Sequence, residues 1–237
     1  MLLPRHSITD TLLEAGMDEA GRGCLWGPLF AATVIWPAEE TWTEEVRSLS
    51  TQIRDSKKVS AKKRAILEKQ IQEVAVGYGV GSVDAGEIDR LGMTASNRLA
   101  FKRALENLTA SVKPGRIIVD GILGLEQSVL DGIIQVVQPK ADEKYICVAA
   151  ASILAKEAHD RVVLEACNAD TTLEEKYSIA CCKGYGTAKH REGVKTHGMH
   201  PLHRRLFLRK ILGIDHVTEA AAEGRRYNGY LDFLDDD

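Results

Sequence analysis

Long apolar runs and paired cysteines are both missing from this sequence of 237 residues. No apolar run approaches the roughly 18–20 residues that a membrane span needs, so we expect no membrane association. The five cysteines show no C-x-x-C spacing, which indicates neither a zinc site nor a disulfide framework. Because the beginning of the chain also lacks the apolar core of a signal peptide, we expect an intracellular, cytoplasmic protein.

The chain has no large excess of charge of either sign, and its formal net charge is −3. Residues 183–210 nevertheless hold eight Lys and Arg and one acid, so this segment carries +7 and the remainder −10. Such segregation is typical of a nucleic-acid-binding surface. A solvated basic helix face, which needs no partner, is the alternative.

The apolar pattern predicts an α/β protein with a mixed five-stranded sheet flanked by helices. Short apolar or β-branched runs predict strands at residues 11–18, 30–36, 74–83, 116–119 and 133–137. We expect those at residues 30–36 and 133–137 to be buried. Helical spacing predicts helices at residues 60–68, 93–108 and 148–167. We place a catalytic domain at residues 1–170 and a helical, basic extension with an acidic tail at residues 171–237.

The first strand runs into Asp18 and Glu19, and a Gly-Arg-Gly turn at residues 21–23 follows at once. Paired carboxylates are ligands for hard divalent cations, and glycines let the backbone approach a ligand closely. An arginine fork suits phosphate. Together they predict a metal-dependent enzyme that acts on a phosphodiester, against the alternative of an exposed acidic turn.

Two further acids stand at similar positions, Asp120 at the end of a predicted strand and Asp142 just before a helix rich in alanine. If the strands of Asp18 and Asp120 are neighbours, the carboxylates converge at one edge of the sheet. Like charges that close repel each other unless a cation lies between them. Two Mg²⁺ or Mn²⁺ ions would offset the repulsion and favour in-line displacement at phosphorus.

Six motifs occur in an order that resembles one family, and they span roughly residues 13–212. They are the stretches 17–28, 55–58, 119–121, 142–156, 183–187 and 203–207. The sequence resembles type 2 ribonuclease H, also called ribonuclease HII. The resemblance implies a ribonuclease H-like fold with a C-terminal helical extension, cleavage of RNA in RNA/DNA hybrids, and incision 5′ of single ribonucleotides in duplex DNA.

The same resemblance assigns roles to individual residues. It implies that Asp18, Glu19, Asp120 and Asp142 are the catalytic, metal-binding carboxylates. The substrate-binding residues it implies are Gly21, Arg22 and Gly23 at the 2′-hydroxyl, Tyr185 against the sugar at the RNA–DNA junction, and Ser56, Lys57 and Lys156 at phosphates. His203, Arg204 and Arg205 would either contact the duplex backbone or support the extension.

The sequence departs from the family's pattern at three places. Gly186 replaces a frequent proline, His159 replaces a common arginine, and Cys181-Cys182 replaces a polar pair. A non-catalytic binder of the same fold is disfavoured because all four acids are present. A resolvase would lack the Gly-Arg-Gly turn and Tyr185, and the type 3 enzyme has an N-terminal domain for which the 17 residues before Asp18 leave no room. We expect a monomer acting on RNA/DNA hybrids and ribonucleotide-containing duplex DNA, with any replication partner undetermined.

Overall fold

The computed structural model describes residues 2–111 and 113–213, and a five-stranded sheet forms the centre of this part of the chain. The strands are β1 (Glu14–Ala20), β2 (Leu29–Ile35), β3 (Gly77–Val83), β4 (Arg116–Asp120) and β5 (Ile134–Gln138). Their order across the sheet is β3-β2-β1-β4-β5. β2 pairs antiparallel with β1 and β3, whereas β1, β4 and β5 run parallel. The expected mixed five-stranded sheet is confirmed.

Ten α-helices surround this sheet or follow it within the described residues. They are α1 (Glu44–Gln52), α2 (Ala61–Val74), α3 (Ala85–Leu91), α4 (Met93–Glu106), α5 (Gln127–Leu130), α6 (Ile146–Ala169), α7 (Thr172–Tyr177), α8 (Ile179–Cys182), α9 (Ala188–His197) and α10 (Arg205–Leu212). None of these helices is long and apolar enough to cross a membrane. Short 3-10 turns lie at Glu39–Thr41, Ser56–Lys58 and Ala141–Glu143.

The sheet is covered on both faces, so its central strand β1 is almost entirely buried. Alternate side chains of a strand point to opposite faces, and the two apolar clusters follow that rule. Met17 packs with Phe101 and Ala104 of α4 on one face. Ile118 of β4 packs with Val148 and the alanines of α6 on the other.

The close packing of α6 on β1 depends on Gly16. A Cβ atom at this position would lie 2.3 Å from the backbone carbon of Cys147 and from the nitrogen of Val148. Only a residue without a side chain allows the first turn of α6 to come this near to the strand. The turn that precedes α6 carries Asp142, so this contact also brings Asp142 close to the end of β1.

The C-terminal helices share a third apolar cluster with the loop between β1 and β2. Trp26 of that loop packs with Val163 of α6, Tyr177 of α7 and Leu208 of α10. An isolated antiparallel bridge joins Trp26 to His203, and another joins Cys24 to Tyr185. The extension is therefore packed directly against the loop that follows the first two acids.

Two predicted elements differ from the structure. The strand predicted at residues 133–137 is wrong as a buried element, because β5 is an edge strand and Ile134 and Val137 are exposed at 49% and 37%. Residues 74–76 are not strand: the apolar spacing of Leu67 and Ile71 continues to Val74, so α2 ends there and β3 begins at Gly77. The remaining predicted strands and helices are present with boundaries shifted by a few residues, and the acidic tail at residues 231–237 lies outside the described residues.

The substitution Gly16→Ala tests the contact between α6 and β1. Because the added carbon meets backbone atoms that no side-chain rotation can move, we expect the free energy of unfolding to fall by about 1–3 kcal/mol or more. The control is Gly86→Ala in α3, where the nearest atom, a carboxylate oxygen of Asp84, lies 3.3 Å away. There we expect a small gain of up to about 1 kcal/mol, from helix propensity. Urea unfolding measures the stability of both variants. An unchanged stability of Gly16→Ala would contradict the close contact between α6 and β1.

Candidate active site

Three carboxylates meet at the carboxyl-terminal edge of the sheet. Asp18 lies near the end of β1 and Asp120 ends β4, and these strands are parallel neighbours. Asp142 lies in the 3-10 turn between β5 and α6. One carboxylate oxygen of each residue lies within 4.8 Å of those of the other two. The structure thus brings together three of the four acids named from the sequence.

Asp18 is the most enclosed member of this cluster and is only 7% exposed. Burial raises the pKa of its carboxyl well above the ordinary value, and the charges of Glu19 and Asp120 raise it further. Two donors favour the charged form and offset part of the rise in pKa. They are the side chain of Ser152 and the backbone N–H of Glu19, whose nitrogen lies 2.7 Å from Asp18 Oδ1. Hydrogen-bond donors therefore hold the carboxylate in place, whereas burial and the charges of the neighbouring acids destabilise its ionised form.

Asp142 and Glu19 are subject to similar effects. Burial raises the pKa of Asp142, the charges of Asp120 and Asp55 add to the rise, and Lys57 opposes it. Burial also raises the pKa of Glu19, against the lowering effect of Arg22, whose guanidinium lies 3.6 Å from the Glu19 carboxylate. Glu19 is outside the three-residue cluster but close enough for its charge to act on Asp18.

The donor set fits a hard divalent cation. Carboxylate oxygens at these separations can coordinate one ion in common, and Mg²⁺ and Mn²⁺ prefer oxygen ligands. Positive charge among Asp18, Asp120 and Asp142 would remove the repulsion that raises the pKa values of Asp18 and Asp142. Of the described residues, these three are the one group of acids, histidines or cysteines that meets the geometric requirement for metal binding.

Several groups that position these acids escaped the sequence reasoning. The backbone N–H of Ala141 donates to Asp120 Oδ1 at 2.7 Å, and a backbone amide leaves no signal in a sequence. Ser152 stands on the first half of α6 among alanines, and Asn97 on α4 hydrogen-bonds Glu19. A lone polar residue on an otherwise apolar helix face could have identified Ser152 and Asn97, because a buried polar group needs a partner.

Beside the acids lies a unit formed by the Gly21–Gly23 turn and Tyr185, which we call the turn–tyrosine unit. Gly21 has a φ of +82°, and a Cβ atom there would lie 2.4 Å from the ring of His159, so glycine is required on both counts. The antiparallel bridge between Cys24 and Tyr185 joins the end of this turn to the tyrosine. The ring of Tyr185 remains 38% exposed beside Gly23, and it offers a flat apolar surface to a ligand.

The three predicted phosphate ligands surround the site in different ways. Lys57 is exposed, and its charge acts on Asp142. The Lys156 ammonium lies 5.5 Å from the centre of the Tyr185 ring and 2.7 Å from a carboxylate oxygen of Asp160. Ser56 is 3% exposed, and its hydroxyl lies 3.0 Å from that of Ser152, so it supports the residue that hydrogen-bonds Asp18.

Fold and site together define a class of protein. A mixed sheet of order β3-β2-β1-β4-β5 carries acids at the ends of two adjacent parallel strands, with a third acid at the entry to a helix packed on the sheet. This is the arrangement of a metal-dependent nuclease with the ribonuclease H-like fold.

Comparison with known proteins narrows the class to one family. The family model described as Ribonuclease HII matches residues 15–210. A ribonuclease HII of Parabacteroides distasonis is 40% identical over 208 residues, which cover 87% of this chain and 94% of the relative. One from Prochlorococcus marinus is 37% identical over 208 residues, covering 83% and 90%. The crystal structure of ribonuclease H2 from Pyrococcus horikoshii superposes with a TM-score of 0.64 at 29% identity, covering 84% of this chain and 97% of the other.

The chain belongs to the ribonuclease HII family. It is therefore a hydrolase, a ribonuclease H that acts on the RNA of RNA/DNA hybrids with the help of a divalent metal. The resemblance noted from the sequence motifs and the expected fold are both confirmed.

Substitution of Asp18 by Asn tests the repulsion and the metal site together. Since the pKa of Asp18 is higher in the folded than in the unfolded protein, the folded state binds more protons between these values, and stability falls as the pH rises through that window. At neutral pH without metal, Asp18→Asn should raise the free energy of unfolding, and its advantage over the parent should shrink as the pH falls. Thermal unfolding across pH measures this.

Added Mn²⁺ or Mg²⁺ should raise the Tm of the parent protein, because a ligand at 100 times its Kd stabilises by about 2.7 kcal/mol. The Asp18→Asn variant should respond far less. Asp131→Asn, which changes an exposed acid on the turn after α5, is the control and should respond as the parent does. A rise in Tm as large in Asp18→Asn as in the parent would contradict the site.

Proposed function

We propose that this ribonuclease H also incises duplex DNA on the 5′ side of single embedded ribonucleotides, using two Mg²⁺ or Mn²⁺ ions held by Asp18, Glu19, Asp120 and Asp142. The observation that carries the proposal is the contact between the two parts of the site. The turn–tyrosine unit begins three residues after Asp18 in the chain, and the guanidinium of Arg22 in its turn lies 3.6 Å from the Glu19 carboxylate. A group suited to recognise a sugar therefore lies next to a group suited to hydrolyse a phosphodiester.

The acids hold the cations, and the chain's own donors fix where the acids lie. Bound divalent ions would lower the pKa of the attacking water and offset charge on the phosphate oxygens. Asp18 is fixed by Ser152 and the N–H of Glu19, and Asp120 by the N–H of Ala141. Water adds to phosphorus, the bond to the 3′-oxygen breaks, and the products are a 3′-hydroxyl and a 5′-phosphate on the ribonucleotide.

Selectivity for a ribose arises at the turn–tyrosine unit. The backbone groups of Gly21–Gly23 would meet the 2′-hydroxyl, which is the feature that distinguishes RNA from DNA. The exposed face of Tyr185 would stack on the sugar at the junction, and Lys156 beside it would meet a phosphate. Lys57 would contact a phosphate near Asp142. Ser56, which sequence motifs placed at a phosphate, is buried against Ser152, so we assign it instead to the support of Asp18.

The basic segment at residues 183–210 supplies the wider duplex surface. Lys183, Lys189, Arg191 and Lys195 lie around and within α9, next to Tyr185 in the chain. Phosphate contacts of this kind add affinity but little sequence information. We therefore assign residues 1–170 to catalysis and residues 171–237 to substrate binding, and we place the protein in the cytoplasm, with the DNA it acts on.

Cleavage of a DNA duplex that holds one ribonucleotide tests the catalytic assignment. With Mg²⁺ or Mn²⁺, the parent should incise on the 5′ side of the ribonucleotide. Asp120→Asn should reduce the rate about a thousandfold or more, since loss of a metal ligand removes several kcal/mol of transition-state stabilisation. Asp131→Asn should retain the parent's rate. No incision by the parent protein at the ribonucleotide would contradict the proposed function.

Tyr185→Ala tests the junction role. Stacking on an aromatic ring contributes about 1–3 kcal/mol, so we expect a loss of about 5- to 150-fold in kcat/KM on the single-ribonucleotide duplex. A long RNA/DNA hybrid, which offers a ribose at every position, should be affected less. Tyr185→Phe keeps the ring and loses the phenol, and it should retain most of the activity. Equal losses of Tyr185→Ala on both substrates would contradict the role.

A further inference from the structure

His203 and Arg204 lie immediately before α10, within the basic segment of the extension. They are 1% and 0% exposed. Side chains so enclosed cannot reach a duplex backbone. Of the two roles that the sequence left open for these residues, contact with the duplex is therefore excluded and support of the protein's own structure remains. The question is then which part of the protein they support.

Arg204 supports the turn that follows the first two acids. Its Nη1 donates to the carbonyl oxygens of Gly21 at 2.7 Å and Arg22 at 3.1 Å. Its Nε donates to the carbonyl oxygen of Gly27 at 2.8 Å. Burial lowers the pKa of Arg204 to about 10, so the guanidinium is still charged at neutral pH. Within the part of the chain that the structure describes, its hydrogen-bond acceptors are backbone carbonyls of this loop, and no carboxylate pairs with it.

His203 supports the other half of the unit through a chain of hydrogen bonds whose direction is set at both ends. The backbone N–H of His200 lies 2.8 Å from His203 Nδ1, so Nδ1 accepts and Nε2 carries the proton. His203 Nε2 then donates to His190 Nε2 at 2.9 Å. His190 carries its own proton on Nδ1 and donates it to the carbonyl oxygen of Tyr185 at 3.0 Å.

Only one protonation state satisfies this chain. A proton on His203 Nδ1 would point at the N–H of His200, and a proton on His190 Nε2 would point at the N–H of His203. Either arrangement would place two donors against each other with no acceptor between them. Both imidazoles are therefore neutral, and burial lowers the pKa of each, that of His203 to about 3. Tyr177, whose ring centre lies 4.9 Å from that of His203, and Cys182, whose sulfur lies 3.6 Å from His190 Nδ1, are the other groups that pack against the pair.

The backbone joins the two supports. The N–H of Arg204 donates to the carbonyl of Leu25 at 2.8 Å, and the N–H of Gly27 donates to the carbonyl of Leu202 at 2.9 Å. The N–H of Leu25 in turn donates to the carbonyl of Gly184 at 2.8 Å. Two consecutive residues of the extension thus connect, through a few short bonds, the turn at Gly21 with the segment that carries Tyr185.

We propose that His203 and Arg204 are positioning residues for ribose recognition, which hold the Gly21–Gly23 turn and Tyr185 at a set separation before substrate binds. The proposal rests on the proposed function of the turn–tyrosine unit. Selectivity for a single ribonucleotide then depends on residues that never touch the substrate. Cleavage of a long hybrid depends on them less, because a hybrid presents many equivalent riboses.

The test is a double-mutant cycle between Arg204→Lys and Tyr185→Ala, with kcat/KM measured on the single-ribonucleotide duplex and on a long hybrid. Arg204→Lys keeps the charge but loses the guanidinium fork that holds three carbonyls. We expect it to lose about tenfold or more on the first substrate, because displacing a positioning group by about 1 Å can reduce a rate about 100-fold. On the hybrid the loss should be at most about threefold, and the double variant should be hardly worse than Tyr185→Ala alone.

A second pair of variants keeps the test informative if Arg204→Lys folds poorly. His190→Asn retains an N–H where His190 Nδ1 donates to Tyr185, whereas His190→Ala removes it. We expect His190→Asn to recover most of the selectivity that His190→Ala loses. Arg47→Met, which removes a guanidinium from α1, is the control and should leave both substrates unaffected.

The outcomes separate the two hypotheses. Suppose that the parent cuts the single-ribonucleotide duplex, that Arg204→Lys loses kcat/KM equally on both substrates, and that its loss adds to that of Tyr185→Ala. This result would overturn the positioning role and leave the proposed function standing. Equal activity of His190→Asn and His190→Ala would count against the positioning role in the same way. A parent that leaves the single-ribonucleotide duplex intact would overturn the proposed function and the positioning role with it.

Discussion

The repulsion between Asp18 and the acids around it is the interaction on which the site depends. Asp18 is enclosed on the central strand, and burial and the charges of Glu19 and Asp120 all disfavour its ionised form. The fold makes this crowding unavoidable, since β1 and β4 are adjacent and parallel and Gly16 lets α6 approach the strand. Packing thus supplies the free energy that holds like charges together, and a divalent cation bound among them would relieve the repulsion.

In the proposed function, hydrolysis and ribose selectivity come from different parts of the chain. The sheet edge provides the acids, whereas the extension provides Tyr185 and the buried His203 and Arg204. The two parts meet in the loop between β1 and β2, where the turn after Glu19 is bonded to Arg204 and bridged to Tyr185 through Cys24. One loop therefore connects the extension to the residues that follow Asp18 and Glu19.

The parts that were predictable from the sequence are those with local signals. Apolar runs that end in Asp18 and Asp120 indicated strand ends, and the family motifs indicated the fold, which the comparisons confirm. The amide of Ala141 left no signal, because it is a backbone group. The role of Arg204 was ambiguous because a basic segment of sequence is normally expected to be exposed. Only the tertiary packing shows that this arginine is buried. The exposure of β5 was missed since an apolar edge strand and a buried one share the same composition.

The most direct test of the central claim is the position of bound Mn²⁺ in crystals of the protein, read from its anomalous scattering. The account predicts a peak within coordination distance, about 2.0–2.6 Å, of oxygens from Asp18, Asp120 and Asp142. It also predicts that the peak is lost in Asp18→Asn crystals grown under the same conditions. Mn²⁺ bound elsewhere, or at the same place with Asp18 replaced, would contradict the claim that these three carboxylates form the metal site.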